Sequence, residues 1–324
     1  MSEKMRRIGI LTSGGDAPGM NCAIRAAVRT CLRNNVIPVG IYRGYNGLIH
    51  SDIKELTTEM VSGLTRKGGT MLYTARSLEF MTPEGQDRAV DTCRYLGIDG
   101  VVAIGGDGTF RGARELAKRG VNTVCIPGTI DNDIGCTIYS IGFDTAANTA
   151  IDVIDKLSDT MQSHERVSVV EVMGRDAGFL AEYVGLACGA TSILIPEKPV
   201  DIEADVIDRI REGKYLGKRH FLIVVAEGTG KTKEIAEHIE KDMGIETRVS
   251  IIGHVQRGGA PSARDRTMAS RMGHYAVEQL IKGESNIVVC YRDSRICTVP
   301  IDKALEMKKT LDPYMVRVAD EIYT

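Results

Sequence analysis

Nine short apolar runs, rich in valine and isoleucine, recur along this chain and constrain its fold more than any other feature. They read RIGIL, VIPVGIY, GVVAIGG, VNTVCIPG, VSVVEVMG, TSILIP, HFLIVVAEG, RVSIIGHV and NIVVCY, and most of them end on glycine or proline. Short runs of this composition are typical of strands that are buried on both faces of a sheet. The chain is therefore expected to build largely parallel sheets.

Longer amphipathic segments separate these runs and are expected to form helices. In segment 232–244 the apolar residues recur at helical spacing, with Thr232 predicted as the N-cap and Gly244 as the terminator. Segment 81–97 carries the same signals, with Thr82 as its predicted cap. The alternation of strands and helices along the whole chain predicts an α/β fold with mainly parallel sheets.

Composition and charge exclude several classes of protein. The 324 residues suffice for about two domains. The 41 Lys and Arg residues against 43 Asp and Glu residues give a formal net charge of -2, so no globally basic surface offers itself to nucleic acid. No run reaches the ~18 apolar residues of a membrane helix, and the start MSEKMRRIGI is too short in apolar residues for a signal peptide. We expect a cytoplasmic protein with neither nucleic acid nor membrane as a partner.

Cysteine and histidine spacing argues against a zinc site. The chain has 8 Cys without a Cys-x-x-Cys pair and 6 His without a His-x-x-x-His pair. In a chain of this size without an export signal, reduced thiols in the cytosol are expected.

Three successive strand ends carry glycine-rich loops, which read TSGGD, IGGDGTF and PGTIDNDI. Ligands of open α/β sheets bind beyond the carboxyl ends of strands, and glycine lets backbone amides approach a phosphate. Asp107 in the second loop is a hard oxygen ligand suited to Mg²⁺. One such loop is an ordinary tight turn, but three at one sheet edge indicate a phosphate and magnesium site. Two other phosphate motifs are incomplete, because Arg111 replaces the third glycine of a dinucleotide loop and Val225 replaces the first glycine of a P-loop.

Basic residues that could bind the opposite charge follow later in the chain. They are Arg166, Arg175, Arg248, His254 and Arg257. Arginine suits phosphate because its planar fork donates two hydrogen bonds at once. These arginines lie beside glycines and apolar runs, where a solvated face would more often carry lysine and glutamate.

Taken together, these motifs resemble the bacterial ATP-dependent 6-phosphofructokinases. The matching blocks are LTSGGDAPGMN, IGGDGT, PGTIDND, VEVMGR, AEG and RVSIIGHVQRGGAPSARDR, in order over nearly the whole chain. The last block, from Arg248 to Arg266, is the most specific. The resemblance implies an α/β fold of two interleaved, doubly wound domains. It implies an ATP-binding domain at 1–141 plus 255–305 and a sugar-phosphate-binding domain at 142–254 plus 306–324.

The resemblance also implies a role for each matching residue. ATP would be held by Gly15, Tyr45, Arg76, Ser77, Gly106, Asp107, Gly108 and Thr109, with Mg²⁺ on Asp107 and Asp133. Fructose 6-phosphate would be held by Thr129, Ile130, Asp131, Arg166, Met173, Gly174, Arg175, Glu227, Arg248, His254, Val255, Gln256 and Arg257. The catalytic residues would be Asp131, as the general base on the 1-hydroxyl of the sugar, together with Thr129, Arg175 and Arg76. In the family Arg166 and Arg248 reach into a neighbouring subunit, which implies a homotetramer with shared active sites.

Three other functions are weighed against this one. A pyrophosphate-dependent enzyme of the same fold would carry an acid at Gly108 and a lysine at Gly128, and an acid there would repel the α-phosphate of a nucleotide. A lipid or NAD kinase shares GGDGT but lacks the TIDND and GHVQRGG blocks. A non-catalytic nucleotide sensor would be preferred if Asp131, Asp107 or the arginines were replaced, and none is.

The chain departs from the family at a second anion site, where ADP activates and phosphoenolpyruvate inhibits. Arg25 and Arg29, four residues apart on one predicted helix, and Lys218 are its candidate remnants; a solvated helix face explains the two arginines equally well. The positions that have lost the family's charged residue are Ser158, Thr191 and Leu216.

Overall fold

A computed structural model describes residues 5–323 of the chain. The described residues divide into two compact units, and each unit is built from three separate stretches of the chain. Unit 1 comprises residues 1–130, 134–145 and 257–309, and unit 2 comprises residues 131–133, 146–256 and 310–324. The chain therefore leaves unit 1 after Thr145, a few residues later than the resemblance implies, and the short stretch 131–133 groups with unit 2.

Eleven strands form within the described residues, and they include all nine predicted runs. The strands are β1 Arg7–Thr12, β2 Ile37–Ile41, β3 Ile53–Glu55, β4 Gly100–Gly105, β5 Asn122–Pro127, β6 Val167–Val172, β7 Ser192–Leu194, β8 Phe221–Ala226, β9 Thr247–Ile251, β10 Ile287–Arg292 and β11 Arg295–Pro300. The two strands without a predicting run are β3 and β11, the two edges of the sheet in unit 1.

The helices fall between these strands, as the alternation predicted. They are α1 Met20–Arg33, α2 Tyr45–Ile49, α3 Pro83–Tyr95, α4 Asp107–Lys118, α5 Phe143–His164, α6 Phe179–Ala187, α7 Asp208–Tyr215, α8 Thr232–Met243, α9 Ala263–Ile281, α10 Ile301–Glu306 and α11 Pro313–Glu321. No helix in the described part of the chain is long and apolar enough to cross a membrane.

Each unit is built on its own sheet. The seven-stranded sheet of unit 1 has the order β11-β10-β5-β4-β1-β2-β3, with antiparallel pairing only at the two edges. The four-stranded sheet of unit 2 has the order β7-β8-β6-β9 and is parallel throughout. Strands β4 and β8 are buried along their full length, because parallel sheets carry helices on both faces. The predicted fold class, α/β with two interleaved doubly wound domains, is confirmed.

Helix ends test the predicted caps. The Thr82 hydroxyl accepts the backbone N–H of Gly85 at 3.1 Å, so Thr82 caps α3 as predicted. Gly244 ends α8 with φ of 64°, a conformation that favours glycine. The prediction that Thr232 caps α8 is wrong, since Thr232 is already the first helical residue and its buried hydroxyl donates to Glu171.

Candidate active site

The three glycine-rich loops leave neighbouring strands at one edge of the sheet in unit 1. Strand β4 lies between β1 and β5, all parallel, so their carboxyl ends are adjacent. Two backbone hydrogen bonds continue the pairing into the loops. The Ser13 N–H donates to the Ile104 carbonyl at 3.0 Å, and the Gly128 N–H donates to the Gly105 carbonyl at 2.9 Å. The convergence predicted from the strand ends is therefore present in unit 1.

Close packing of the first two loops depends on Gly105. A Cβ at this position would collide with the Ser13 carbonyl and the Thr109 side chain. The Thr109 hydroxyl instead donates to the Ser13 carbonyl at 2.9 Å and is buried with it. Thr109, expected to contact ATP, therefore joins the two loops from within and positions their exposed residues.

Helix α4 begins in the second loop and offers an anion site. The N-cap residue is Gly106, so no N-cap side chain occupies the start of the helix. Asp107 and Gly108 are exposed in the first turn. Backbone N–H groups in the first turn of a helix lack intrahelical partners and attract phosphate. No atom lies within 4 Å of where a Cβ at Gly108 would be, so the space in front of this turn is open.

Tyr45 supports this turn from behind. Its hydroxyl donates to the Thr109 carbonyl at 2.5 Å, and its ring stacks on Phe80 with centroids 4.2 Å apart. The side chain is only 4% exposed, and burial raises its pKa well above the usual value. The structure thus places Tyr45 beside the loop, as expected, where its buried side chain supports the first turn of α4.

The segment with Arg76 and Ser77 runs alongside the first loop. The Thr74 hydroxyl donates to the Gly14 carbonyl at 2.6 Å, while the Ser77 hydroxyl accepts the Phe80 N–H at 3.2 Å. Arg76 is exposed, with its carbonyl accepting from Asn46 at 3.4 Å.

Arg257 packs against the first loop of unit 1. Its Nη1 donates to the Asp16 carbonyl at 3.0 Å, and a Cβ at Gly15 would lie 2.5 Å from the same atom. The resemblance assigns Arg257 to the sugar phosphate, and the structure puts its guanidinium beside the glycine loop expected to hold ATP. A side chain at position 15 would require the Arg257 guanidinium to shift.

Sequence reasoning assigned no role to two residues that hold the third loop. The Ser140 hydroxyl accepts the Thr129 N–H at 2.9 Å. Asp265, which is 0% exposed, accepts from the Tyr139 hydroxyl at 2.5 Å, the Gly142 N–H at 2.7 Å and the Thr145 N–H at 2.9 Å. Burial raises the pKa of Asp265, and these donors oppose that shift. The only sequence signal for Asp265 was its place in the Asp265-Arg266 block.

A second group of site residues converges in unit 2, beyond the ends of β6 and β8. After β6 the chain turns through Gly174, with φ of 141°, and Arg175, with φ of 54°. Glu227, which follows β8, accepts the Arg175 N–H at 2.6 Å and the Gly174 N–H at 3.3 Å. Buried Gln256 accepts the Met173 N–H at 2.9 Å. Glu227 and Gln256 thus hold a turn whose left-handed backbone is strained for arginine.

The strained turn presents Arg175 to Asp131. The guanidinium Nη2 lies 4.0 Å from the Asp131 carboxylate, and the side chains are 63% and 3% exposed, respectively. An exposed cation beside a buried carboxylate is a candidate site for proton abstraction next to a phosphate. Ile130 precedes this carboxylate and is 0% exposed in unit 1, and its contact with the substrate stays a prediction. His254 and Val255 are both exposed in unit 2.

Arg166 and Arg248 lie at the opposite end of the strands of unit 2, near the amino end of β6. Arg166 precedes β6, and Arg248 pairs in register with Ser168 near the amino end of β6. Both guanidinium groups bind Glu246, Arg166 at 2.6 Å. The six residues of β6 span roughly 20 Å, and Arg175 follows the opposite, carboxyl end of this strand.

A metal site is only partly assembled by protein groups. No cluster of three or more His, Cys, Asp or Glu side chains suited to a metal is found among residues 5–323. Mg²⁺ needs only one or two carboxylates when substrate phosphates supply other ligands. The exposed carboxylate of Asp107, next to an open anion site, fits that requirement.

The candidate effector residues are already engaged or exposed. Lys218 Nζ donates to the Thr191 hydroxyl at 3.2 Å and to the Tyr323 carbonyl at 3.1 Å, and burial lowers its pKa. Arg25 is half-buried and Arg29 is exposed on α1. Lys218 is thus held by a threonine where the family has a metal-binding glutamate.

An α/β fold with glycine-rich loops at strand ends and an arginine beside a buried carboxylate is typical of phosphotransferases. The sequence profile described as Phosphofructokinase matches residues 7–280. The chain is 53% identical to the "ATP-dependent 6-phosphofructokinase" of Clostridium tetani over 97% of this chain and 98% of that protein. The protein of the same name from Clostridium botulinum strain Hall is 52% identical, again over 97% of this chain and 98% of that protein. This chain therefore belongs to the phosphofructokinase family.

Solved structures agree on the fold. The phosphofructokinase of Saccharomyces cerevisiae superposes with a TM-score of 0.85 at 32% identity, covering 98% of this chain and 46% of that one. The Pichia pastoris enzyme gives a TM-score of 0.88 at 32% identity, covering 99% and 39%. This chain thus spans about half the length of the yeast chains or less.

Proposed function

We propose that this protein transfers the γ-phosphate of ATP to the 1-hydroxyl of fructose 6-phosphate, giving fructose 1,6-bisphosphate and ADP. The observation that carries the proposal is the pair of buried Asp131 and exposed Arg175 on a strained turn. Phosphoryl transfer depends mainly on positioning and on charge neutralisation. A buried carboxylate supplies the base, and an exposed guanidinium supplies the positive charge.

In this proposal Asp131 removes the proton of the 1-hydroxyl as that oxygen attacks the γ-phosphate, and Thr129 contacts the same hydroxyl. Arg175 stabilises the charge that develops on the transferring group, with Arg76 assisting from the nucleotide side. Glu227 and Gln256 act by holding the turn of Arg175. The resemblance also assigns Met173, Gly174, His254 and Arg257 to the sugar phosphate.

The nucleotide is assigned to the glycine loops of unit 1. Its phosphates bind the amides at the start of α4, where Gly108 leaves the approach open. Asp107 and Asp133 would hold Mg²⁺, which neutralises charge on the phosphates when bound. The open space and the absence of an acid at Gly108 favour ATP over pyrophosphate as the donor.

Active sites are proposed to be shared between the subunits of a homotetramer. The support within one chain is the position of Arg166 and Arg248, at the edge of the sheet away from Arg175. Arginines held by Glu246 at that edge are suited to reach a phosphate bound by a neighbouring copy. The assignment of ATP to 1–141 plus 255–305 and of the sugar to 142–254 plus 306–324, and the cytoplasmic location, stay predictions.

A coupled assay tests the reaction directly. The protein is offered fructose 6-phosphate with either ATP or pyrophosphate, with and without Mg²⁺, and fructose 1,6-bisphosphate is measured. The proposal requires turnover with ATP that depends on Mg²⁺ and is lost in Asp131→Asn. Turnover with pyrophosphate alone, or none with either donor, would contradict it.

A further inference from the structure

Four cysteines gather in unit 1, and none of them has a part in the proposed reaction. Cys125, Cys136 and Cys290 are 0% exposed and belong to one apolar cluster, and half-exposed Cys297 packs against it. A fifth cysteine of the same apolar cluster is the buried Cys93 on α3, whereas Cys22, Cys31 and Cys188 lie outside the cluster. The sequence predicts reduced thiols but gives no sign that these cysteines come together.

Cys290 and Cys297 face each other across a hairpin. Strands β10 and β11 are joined by Asp293 and Ser294, both with positive φ, which is the geometry of a tight two-residue turn. The register places Cys290 directly opposite Cys297. Opposed residues of antiparallel strands have Cα atoms about 4.5–5.5 Å apart, within the range that a disulfide requires.

Cys136 approaches Cys290 from the segment that follows the third glycine loop. The next residue, Thr137, accepts the Tyr291 N–H at 3.0 Å, and the Ile138 N–H donates to the Tyr291 carbonyl at 3.0 Å. These bonds bring Cys136 and Cys290 side by side, and the two thiols share a hydrogen bond. That bond lowers the pKa of Cys136 and, together with burial, raises the pKa of Cys290.

We propose that Cys136, Cys290 and Cys297 form a redox-active site, in which peroxide first links Cys290 to Cys297 and the link then passes to Cys136 and Cys290. Cys297 is the point of entry, because it alone of the three is partly exposed. Cys136 is the final partner, because the segment that carries it is hydrogen-bonded to β10 beside Cys290. Reversible disulfides of this kind in cytosolic proteins are typically redox-sensing.

The steps balance as follows. Hydrogen peroxide oxidises the Cys297 thiol to a sulfenic acid and is reduced to water. The Cys290 thiol attacks that sulfur, a second water leaves, and the Cys290–Cys297 disulfide forms. The Cys136 thiolate then attacks the Cys290 sulfur and releases Cys297 as a thiolate, which takes up the proton that Cys136 lost. In sum, two thiols lose two electrons and two protons to one peroxide.

Oxidation would act on the third glycine loop. The segment after Asp133 carries Cys136 and, four residues later, Ser140, whose hydroxyl holds the Thr129 backbone. A covalent link from Cys136 to β10 restrains this segment. The expected change in activity rests on the proposed function, whereas formation of the disulfide does not.

The test maps disulfides in the intact protein. Protein is treated with hydrogen peroxide, free thiols are blocked by alkylation, and tryptic peptides are analysed without reduction. Cys297 lies in peptide 296–303, Cys290 in 283–292, and Cys136 in 120–156, where fragmentation separates it from Cys125. We expect the 283–292/296–303 link early and the 120–156/283–292 link later, and both should vanish with dithiothreitol.

Variants establish the order of events. Cys297→Ser should slow formation of the 120–156/283–292 link on the order of tenfold, because reactivity follows exposure. Cys136→Ala should accumulate the 283–292/296–303 link and stop there. Cys188→Ser removes a half-buried thiol of unit 2 and should change nothing.

Absence of both links in the wild-type protein would overturn the proposal, and so would equal rates in wild type and Cys297→Ser. Far-ultraviolet circular dichroism confirms that each variant is folded. If both links form but activity is unaffected, the redox site stands and only its regulatory effect is refuted.

Discussion

The Arg175 guanidinium lies 4.0 Å from the Asp131 carboxylate, although 44 positions separate the two residues in sequence (175 − 131). Arg175 holds a left-handed backbone, with φ of 54°, because Glu227 accepts its N–H. Strain at a residue that faces a buried carboxylate is typical of functional sites. The proposed chemistry concentrates on this pair.

Asp131→Asn should lower kcat by ~10²–10⁴-fold with little change in KM, because asparagine keeps the shape but cannot accept the proton. Steady-state kinetics with both substrates measure the effect. Asp91→Asn, at an exposed position of α3, is the matched control and should behave as wild type. A kcat near the wild-type value in Asp131→Asn would show that another group is the base.

Gly108→Asp should raise KM for ATP at least ~10-fold, because the new carboxylate repels the nucleotide phosphates where binding depends on charge. KM for fructose 6-phosphate should stay nearly unchanged. Gly108→Ala is the control: its Cβ meets no atom within 4 Å, so it should cost little. Equal weakening of both substrates would contradict the assignment of this loop to ATP.

Arg248→Ala should weaken binding of fructose 6-phosphate by ~1.5–3 kcal/mol, the value of a charge-assisted contact. Arg219→Ala, which also removes an exposed arginine paired with a glutamate, is the control. Hybrids reassembled from Arg248→Ala and Asp131→Asn chains should regain activity if sites are shared. Confirmed reassembly without recovery would argue for sites built within one chain.

The stability of the protein should depend on pH, because the carboxyl group of Glu182 is buried. It is 2% exposed, and among the described residues neither carboxylate oxygen has a hydrogen-bond partner. Burial raises its pKa from 4.5 to about 7, with Glu197 adding to the shift. The folded state therefore binds this proton more tightly than the unfolded chain does. Stability should fall by on the order of 2–3 kcal/mol as the pH rises from 4.5 through 7.

Glu182→Gln should remove this dependence. The melting temperature of the variant relative to wild type should rise between pH 5 and pH 8, whereas Glu237→Gln, an exposed change on α8, should give a constant difference. Lys198, Asp312 and Asp320 also bear on Glu182, so Asp320→Asn should lower its pKa slightly. If the difference in melting temperature between Glu182→Gln and wild type were the same at all pH values, the raised pKa of Glu182 would be refuted.

Control by ADP and phosphoenolpyruvate should be weak or absent at millimolar levels. Two lost charged contacts to a phosphate reduce affinity by at least ~100-fold, and Lys218 is already bound to Thr191 and Tyr323. Saturation curves for fructose 6-phosphate, with and without each effector, provide the measurement. A several-fold shift in half-saturation at sub-millimolar effector would refute the prediction.

The sequence alone determined the α/β class and the nine core strands, and it named the candidate site residues, whose roles stay predictions. Continuous Val and Ile runs predict buried parallel strands because both faces of such strands contact helices. The edge strands Ile53–Glu55 and Arg295–Pro300 lack that signal, since each is only half covered and depends on pairing with a neighbour. Thr232 shows the same limit, because a cap motif cannot reveal that Glu171 will bind the hydroxyl.

Only the tertiary structure decided which residues meet. Strand order, and not sequence order, brings β1, β4 and β5 together. The register of β9 against β6 places Arg248 near the amino end of β6, whereas Arg175 follows its carboxyl end. Burial of Glu182 and contact between Cys136 and Cys290 likewise arise from packing between distant segments. Periodicity encodes which face of an element is apolar, whereas the partner of that face is selected by the packing of the whole unit.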